Sequence, residues 1–345
     1  MGGGDASRIA VVADDLTGAM DTGLPFANAG LHTVVLFTGV ATPAAEVVAI
    51  DLESRHLPAG QAYQRAREAA SHLAGCRVYK KIDSTLRGNV GAELDGILDG
   101  LGLNHVLVAP AYPASGRLTI NGIHTVKGVP LAESEYARDP LCPVAESSLP
   151  ALLAGQTRRQ VGHLPLAVVE KGPEAVLDAL RREPAQIVSA DAAEPRHLWA
   201  LAAALCRLGG QWIPCGSAGL AEQWLRALGL ERRPDRPIPW ERDGRPVLVA
   251  AGSRSETTAR QLRRAAAAGA LHLVSLEPAD PDWDVLVDEG ALPALRRGMS
   301  VALTTTFAGP APEAAGTLAA RLASQTARVL SRAPVSGLVL TGGDI

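Results

Sequence analysis

Short apolar runs rich in β-branched residues alternate with Ala/Leu-rich stretches along the whole chain, and this alternation narrows the available folds more than any other feature. Strands are expected at Ile9–Ala13, Thr33–Phe37, Val47–Asp51, Arg77–Lys80, His105–Ala109, Ala167–Val169, Gln186–Ser189 and Gln211–Pro214. Further along come Pro246–Ala251, His272–Leu276, Ser300–Thr304 and Gly337–Thr341. Several are almost unbroken apolar runs, as in strands covered on both faces. Helices are expected at Gln61–Ala74, Asn89–Leu101, Glu194–Leu208, Glu256–Ala268 and Pro312–Arg332. In the last of these, Leu318, Leu322, Val329 and Leu330 share one face at helical period. Such alternation specifies the α/β class with mainly parallel sheets, here as two three-layer α/β/α domains.

Two domains follow from the 345-residue length and from one clear break. The stretch LGLERRPDRPIPWERDGRP, Leu228 to Pro246, holds four prolines among many charges and reads as a linker. It separates an N-terminal domain, 1–228, from a C-terminal domain, 247–345, with the linker at 229–246. A second irregular stretch, Tyr112–Ser148, is rich in Pro, Gly and polar residues and reads as a long functional loop.

Composition removes several classes of function. Aromatic residues make up 3% and the formal charge is −3, so neither stacking platforms nor a basic stripe for nucleic acid is expected. Cys76, Cys142, Cys206 and Cys215 are scattered without C-x-x-C or zinc-finger spacing and read as free thiols of a reducing cytoplasm. No apolar run is long enough to span a membrane, and MGGGDASR lacks the regions of a signal peptide.

The chemistry concentrates at strand ends. VVADDLTGAMDTG sets Asp14 and Asp15 after the first strand, where open α/β sheets hold their ligands. Asp15 or Thr17 suits the cap of the helix that follows, but a cap needs only one side chain. YKKIDSTLRGNVGAEL packs Lys81, Asp83, Ser84, Thr85, Arg87 and Gly88 into eight positions after another strand. An arginine there suits bidentate binding of a carboxylate, and a lysine acts as a point charge. DLESRHLP brings Glu53, Ser54 and Arg55 to the same sheet edge, and three polar strand ends together suggest a pocket for anions and hydroxyls.

Gly216, Ser217 and Gly219 in PCGSAGLAEQW, and Gly252 and Ser253 in VLVAAGSRSETTARQL, each stand between a strand and a helix. Glycine at such a turn lets backbone N–H groups approach phosphate, although many plain turns use the same residues. Gly342, Gly343 and Asp344 end the chain in TGGDI. The sequence contains no P-loop motif, no G-x-G-x-x-G after the first strand and no G-x-S-x-G elbow. Among eight scattered histidines, His124 in the polar TINGIHTV stretch is the one candidate worth following.

In order along the chain, ADDLTGAMDTG, KKIDSTLRGNVGAEL, YARDPLCPVAES, GSAGLAEQW, VAAGSRSETTARQ and LTGGD resemble the motifs of the four-carbon acid sugar kinase family. The wording KKIDSTLRGN is closer to the threonate and erythronate branch than to the 3-oxo-tetronate branch. The resemblance implies an acid-sugar domain at 1–228, a nucleotide-binding domain at 247–345, and ATP and Mg2+ as cofactors. It implies Asp15 or Asp83 as the base at the terminal hydroxyl, and Asp14, Arg55, Lys81, Ser84, Thr85, Arg87 and Gly88 around the substrate. Gly252, Ser253, Gly342, Gly343 and Asp344 would hold the nucleotide; no metal ligands are assigned. Relatives continue past TGGD, usually with Thr, whereas Ile345 stands there here, so an incomplete nucleotide domain is expected. Competing expectations are a protein that binds acid sugars without turnover and, further off, a hydroxy-acid dehydrogenase. A homodimer is left open.

Overall fold

In a computed structural model, the residues described are 8–37, 44–139, 141–230, 243–253, 255–307 and 315–342. The chain divides into two compact units, Met1–Pro237 and Ile238–Ile345.

The first unit is built on strands β1 (Ile9–Ala13), β2 (Thr33–Phe37), β3 (Val47–Asp51), β4 (Arg77–Lys81) and β5 (His105–Ala109). After a small separate sheet of β6 (Arg117–Ile120), β7 (Ile123–Val126) and β8 (Val129–Pro130) come β9 (Val161–Leu164), β10 (Ile187–Ala190) and β11 (Trp212–Gly216). The main sheet is parallel throughout, in the order β2-β3-β1-β4-β11-β5-β10-β9. All of β1 is buried, and its side chains alternate between two cores. Ile9, Val11 and Ala13 pack with Ala19 and Phe26 of helix α1 (Leu16–Asn28). Ala10 and Val12 join the core that contains Ala66 and Ala69 of α2 (Ala59–Ser71) and Ile97 and Leu98 of α3 (Val90–Leu101). A sheet covered on both faces explains the unbroken apolar runs.

From β1 the chain passes through β2 and β3 on one side, then crosses to β4 on the other. The carboxyl ends of β1, β3 and β4 therefore surround a reversal of strand order, where open α/β sheets form a crevice. Helices α2 and α3 pack closely behind it. A Cβ on Gly96 would come within 3.0 Å of both the Ala66 Cβ and the Arg67 amide, so glycine sets the spacing there.

Two expectations are corrected. Ala167–Val169 is not a strand but part of the short helix Leu166–Val169, and the strand lies earlier at Val161–Leu164. Pro165 between them offers no N–H to a ladder and ends the strand. Tyr112–Ser148 is not a structureless loop, because β6, β7 and β8 form an antiparallel meander. Asn121–Gly122 and Lys127–Gly128 make its two-residue turns, with φ of 52° and 75° and of 51° and 83°. Paired positive φ values twist such turns to match the strands.

The second unit has a parallel sheet in the order β13-β14-β12-β15, from β12 (Val247–Ala251), β13 (His272–Ser275), β14 (Val301–Thr304) and β15 (Gly337–Thr341). Leu248, Val301 and Leu303 pack with Trp283 and Val329 on one face, while Ala251 and Ala302 meet Leu262 on the other. Leu262 belongs to the helix Glu256–Ala267, and Val329 to Ala315–Arg332. The beginning expected for that last helix, at Pro312, lies outside the described residues.

Candidate functional site

Register brings the polar strand ends level in the first unit. Ala13 at the end of β1 pairs with Asp51 on β3 and with Lys81 on β4. Asp14 and Asp15 follow β1, Arg55 follows β3, and the Asp83–Gly88 loop follows β4. Arg55 lies between the two aspartates, its Nε 2.7 Å from Asp14 Oδ2 and its terminal nitrogen 2.6 Å from Asp15 Oδ2. Asp15 is also the cap of α1: its Oδ1 accepts from the Gly18 N–H at 2.8 Å. The cap is thus Asp15 rather than Thr17. Asp14 Oδ1 is buried without a hydrogen-bond partner among the described residues.

The Asp83–Gly88 loop is organised around its own carboxylate. Asp83 Oδ2 accepts from Thr85 Oγ1 at 2.5 Å and from Arg87 Nε at 2.7 Å. Arg87 reaches onward to Asp139 at 3.1 Å. Burial pushes the Asp83 carboxyl up, but the Arg55 and Arg87 guanidiniums overcome it and hold it well below the usual carboxylate range. Gly88 has φ of 92°, and a Cβ on it would lie 3.2 Å from Arg55 Cγ, so a glycine both turns the loop and admits Arg55.

The meander supports this loop from the side. His124 is fully buried; its Nε2 donates to Ser84 O at 2.8 Å, which leaves Nδ1 to accept from Thr119 Oγ1 at 2.9 Å. Burial lowers its pKa to about 4, so this histidine is a neutral strut rather than an acid or base. Arg117 donates to Ser84 Oγ from one terminal nitrogen, while its buried Nε has no partner among the described residues.

Two consecutive lysines have opposite surroundings. Lys80 points to the α3 side and lies 2.5 Å from Glu93, and Glu93 accepts from Ser54 Oγ at 2.7 Å. Lys81 points to the α1 side and is 6% exposed, with no ion pair or hydrogen bond among the described residues. Asp51, last in β3, also faces the site. Burial raises its pKa to about 6 against the pull of the Glu53 N–H, with the charges of Glu53, Asp15 and Asp14 adding to the rise. Arg55 and Gly88 also line a cavity of about 440 Å³ with His56, Asn89, Cys142 and Gln156.

In the second unit, Gly252 and Ser253 follow β12 and Gly342 follows β15, and the Gly252 N–H donates to Thr341 O at 3.0 Å. Ser255 precedes the helix Glu256–Ala267 without a side-chain cap, leaving the N–H groups of the helix start to another acceptor. Gly343 and Asp344 lie outside the described residues.

A protein family described as a sugar-binding N-terminal domain matches residues 9–224. A D-threonate kinase of Salmonella typhimurium is 34% identical across 98% of this chain and 84% of its own. A 3-oxo-tetronate kinase of Methylobacterium radiotolerans is 34% identical over 96% and 84%. A D-erythronate kinase of Heliobacterium modesticaldum is 35% identical over 74% of this chain and 60% of that protein. The chain belongs to the four-carbon acid sugar kinase family.

Solved structures agree on the fold. One from Salmonella typhimurium LT2 superposes with a TM-score of 0.78 at 24% identity, covering 98% of this chain and 86% of the other. One from Bordetella bronchiseptica, a domain-swapped dimer with bound citrate, has a TM-score of 0.58 at 32% identity and covers 98% and 84%.

Within this member of the acid sugar kinase family, sequence reasoning passed over Asp51, Lys80, Glu93, Arg117 and Asp139. Asp51 could have been found as the charged last residue of an apolar strand. Arg117 had no local signal, because only the fold of the meander carries it to Ser84, whereas Asp139, which reaches Arg87, lay inside the quoted stretch YARDPLCPVAES. In the second unit Thr304 and Thr306 were missed; their hydroxyls donate to Ala251 O at 3.0 and 3.3 Å and fix the end of β12. Among the described residues, no cluster of three or more His, Cys, Asp or Glu side chains is arranged to hold a metal ion.

Proposed function

We propose that this chain is an ATP-dependent kinase that phosphorylates the terminal (4-) hydroxyl of a four-carbon sugar acid such as D-threonate or D-erythronate. The convergence of Asp14, Asp15, Arg55, Lys81 and Asp83 at one reversal of strand order carries this reading. A small polyol acid needs several hydrogen-bonding groups of both charges within a few ångströms, and this edge supplies them. Asp14, Arg55, Lys81, Ser84, Thr85, Arg87 and the turn at Gly88 form the substrate pocket.

Phosphoryl transfer asks mainly for positioning and charge stabilisation. A carboxylate next to the attacking hydroxyl accepts its proton. Asp15 suits that role better than Asp83: its side chain is 20% exposed against 11%, and two guanidiniums weaken Asp83 as a base. Gly252, Ser253 and Gly342, with Gly343 and Asp344 beyond them, hold the nucleotide phosphates. The uncapped start of the helix Glu256–Ala267 supports that assignment. Magnesium carried on the phosphates supplies charge neutralisation when bound.

We place the enzyme in the cytoplasm, in keeping with four free cysteines, and no described helix is long and apolar enough to cross a membrane. A homodimer is the proposed assembly, by analogy with the domain-swapped Bordetella structure. The test is ADP release across a panel of four-carbon sugar acids, with D-threonate and D-erythronate included. Turnover with neither, alongside a working relative as control, rejects the assignment.

A further inference from the structure

Two of the site arginines already hold carboxylates, and Arg117 spends a terminal nitrogen on Ser84 Oγ. Arg55 holds Asp14 and Asp15, and Arg87 holds Asp83 and Asp139. A substrate carboxylate that took the Nε edge of either guanidinium would have to displace an aspartate. Lys81 is different: it is 6% exposed and carries no ion pair or hydrogen bond among the described residues. A largely buried side chain whose ammonium has no ion-pair partner among the described residues offers an anionic ligand an uncommitted cation.

The position of that ammonium is specific. An ideal Cβ on Gly18 would lie 2.7 Å from Asp15 Oδ1, 2.8 Å from Lys81 Nζ and 3.3 Å from its Cγ, so a side chain there would crowd both the carboxylate and the lysine. Gly18 is in the first turn of the 13-residue α1, whose amino end carries partial positive charge. Asp15 occupies the Gly18 N–H, whereas the N–H groups of Leu16 and Thr17 have no acceptor among the described residues. An uncommitted cation and free backbone donors thus meet at the amino end of α1, next to Asp15.

We propose that Lys81 and the amino end of α1 form the seat of the acid sugar's carboxylate, while the arginines order the aspartates that read its hydroxyls. This rests on the acid-sugar reading given above. It predicts that selectivity for an acid over the matching polyol resides in Lys81 and in the missing side chain at Gly18.

The test compares binding of D-threonate and of uncharged threitol, followed by ligand-observed NMR without nucleotide, in wild type, Lys81→Gln and Gly18→Ala. Each substitution is expected to weaken D-threonate binding by about 10- to 100-fold. Threitol and ATP binding stay within about twofold. A methyl group on Gly18 also meets Asp15 Oδ1, so the Gly18→Ala result counts only where threitol binding is kept, and Lys81→Met decides the matter if Lys81→Gln does not fold. Wild-type D-threonate affinity in the folded variants overturns the proposal. So does an unchanged affinity with lost turnover, which would assign Lys81 to the transferred phosphoryl group. A wild-type chain that binds no four-carbon acid and releases no ADP rejects the kinase reading itself, whereas an active wild type with indifferent variants rejects only the role of Lys81.

Discussion

Glu93 on α3 lies 2.5 Å from the ammonium of Lys80, with both side chains at most 1% exposed. The attraction between the two charges holds the contact and raises the pKa of Lys80 against its burial. Removing one partner strands the other charge in a dry interior. Glu93→Gln is expected to destabilise the first unit by about 3–5 kcal/mol. Lys80→Met combined with Glu93→Leu should cost clearly less than either change alone. Calorimetric melting of the four proteins in the cycle measures this, and additive losses would contradict it.

Turnover should separate the two candidate bases. Asp15→Asn is expected to lower kcat by about 10²- to 10⁴-fold, the usual worth of a positioned base. Asp83→Asn frees Arg87 and loosens the loop, so its main effect should be on KM. Near-normal turnover in both variants would remove a carboxylate base at this edge.

Stability against pH carries two opposing slopes. Asp51 has a folded pKa of about 6 against an ordinary 3.8, so the folded state holds the extra proton and loses stability as pH rises from about 4 to 6. His124 has a folded pKa of about 4 against 6.5, so the unfolded state holds the extra proton and stability rises over about pH 4 to 6.5. Across this window the two contributions oppose one another. Asp51→Asn should unmask the histidine, giving a melting temperature that falls between pH 6.5 and 4 more steeply than in wild type. Parallel curves for the two proteins would refute the balance.

Close packing of α2 against α3 gives a purely structural test. Gly96→Ala places a methyl group 3.0 Å from Ala66 Cβ, and the strain exceeds the gain in helix propensity. A loss of about 2 kcal/mol is expected in denaturant unfolding of the first unit. An unchanged or raised midpoint would show that the helices part without penalty.

The sequence displayed the sheet because its strands are buried on both faces, and so are apolar without a break. Val47–Asp51 and Ile9–Ala13 were readable to the residue for that reason. The meander was hidden behind its proline and glycine content, although Asn121–Gly122 is a strong hairpin signal flanked by apolar residues. The short helix Leu166–Val169 escaped because a four-residue apolar run has no resolvable period. Of the site, each strand end was legible on its own. The pairing of Arg55 with both aspartates was not, since 41 positions separate Arg55 from Asp14 and no local pattern encodes that contact.

The adjacent lysines of β4 also make the site sensitive to the register of that strand. A slip of one residue turns every side chain of a strand to the opposite face. Slipped one way, β4 would set Tyr79 opposite Glu93 and leave that carboxylate buried without a cation. Slipped the other way, it would put Ile82 beside Gly18, where the ammonium now lies. Only the native register gives Glu93 its cation and at the same time sets an ammonium beside Gly18, so the core ion pair and the pocket depend on the same alignment of β4.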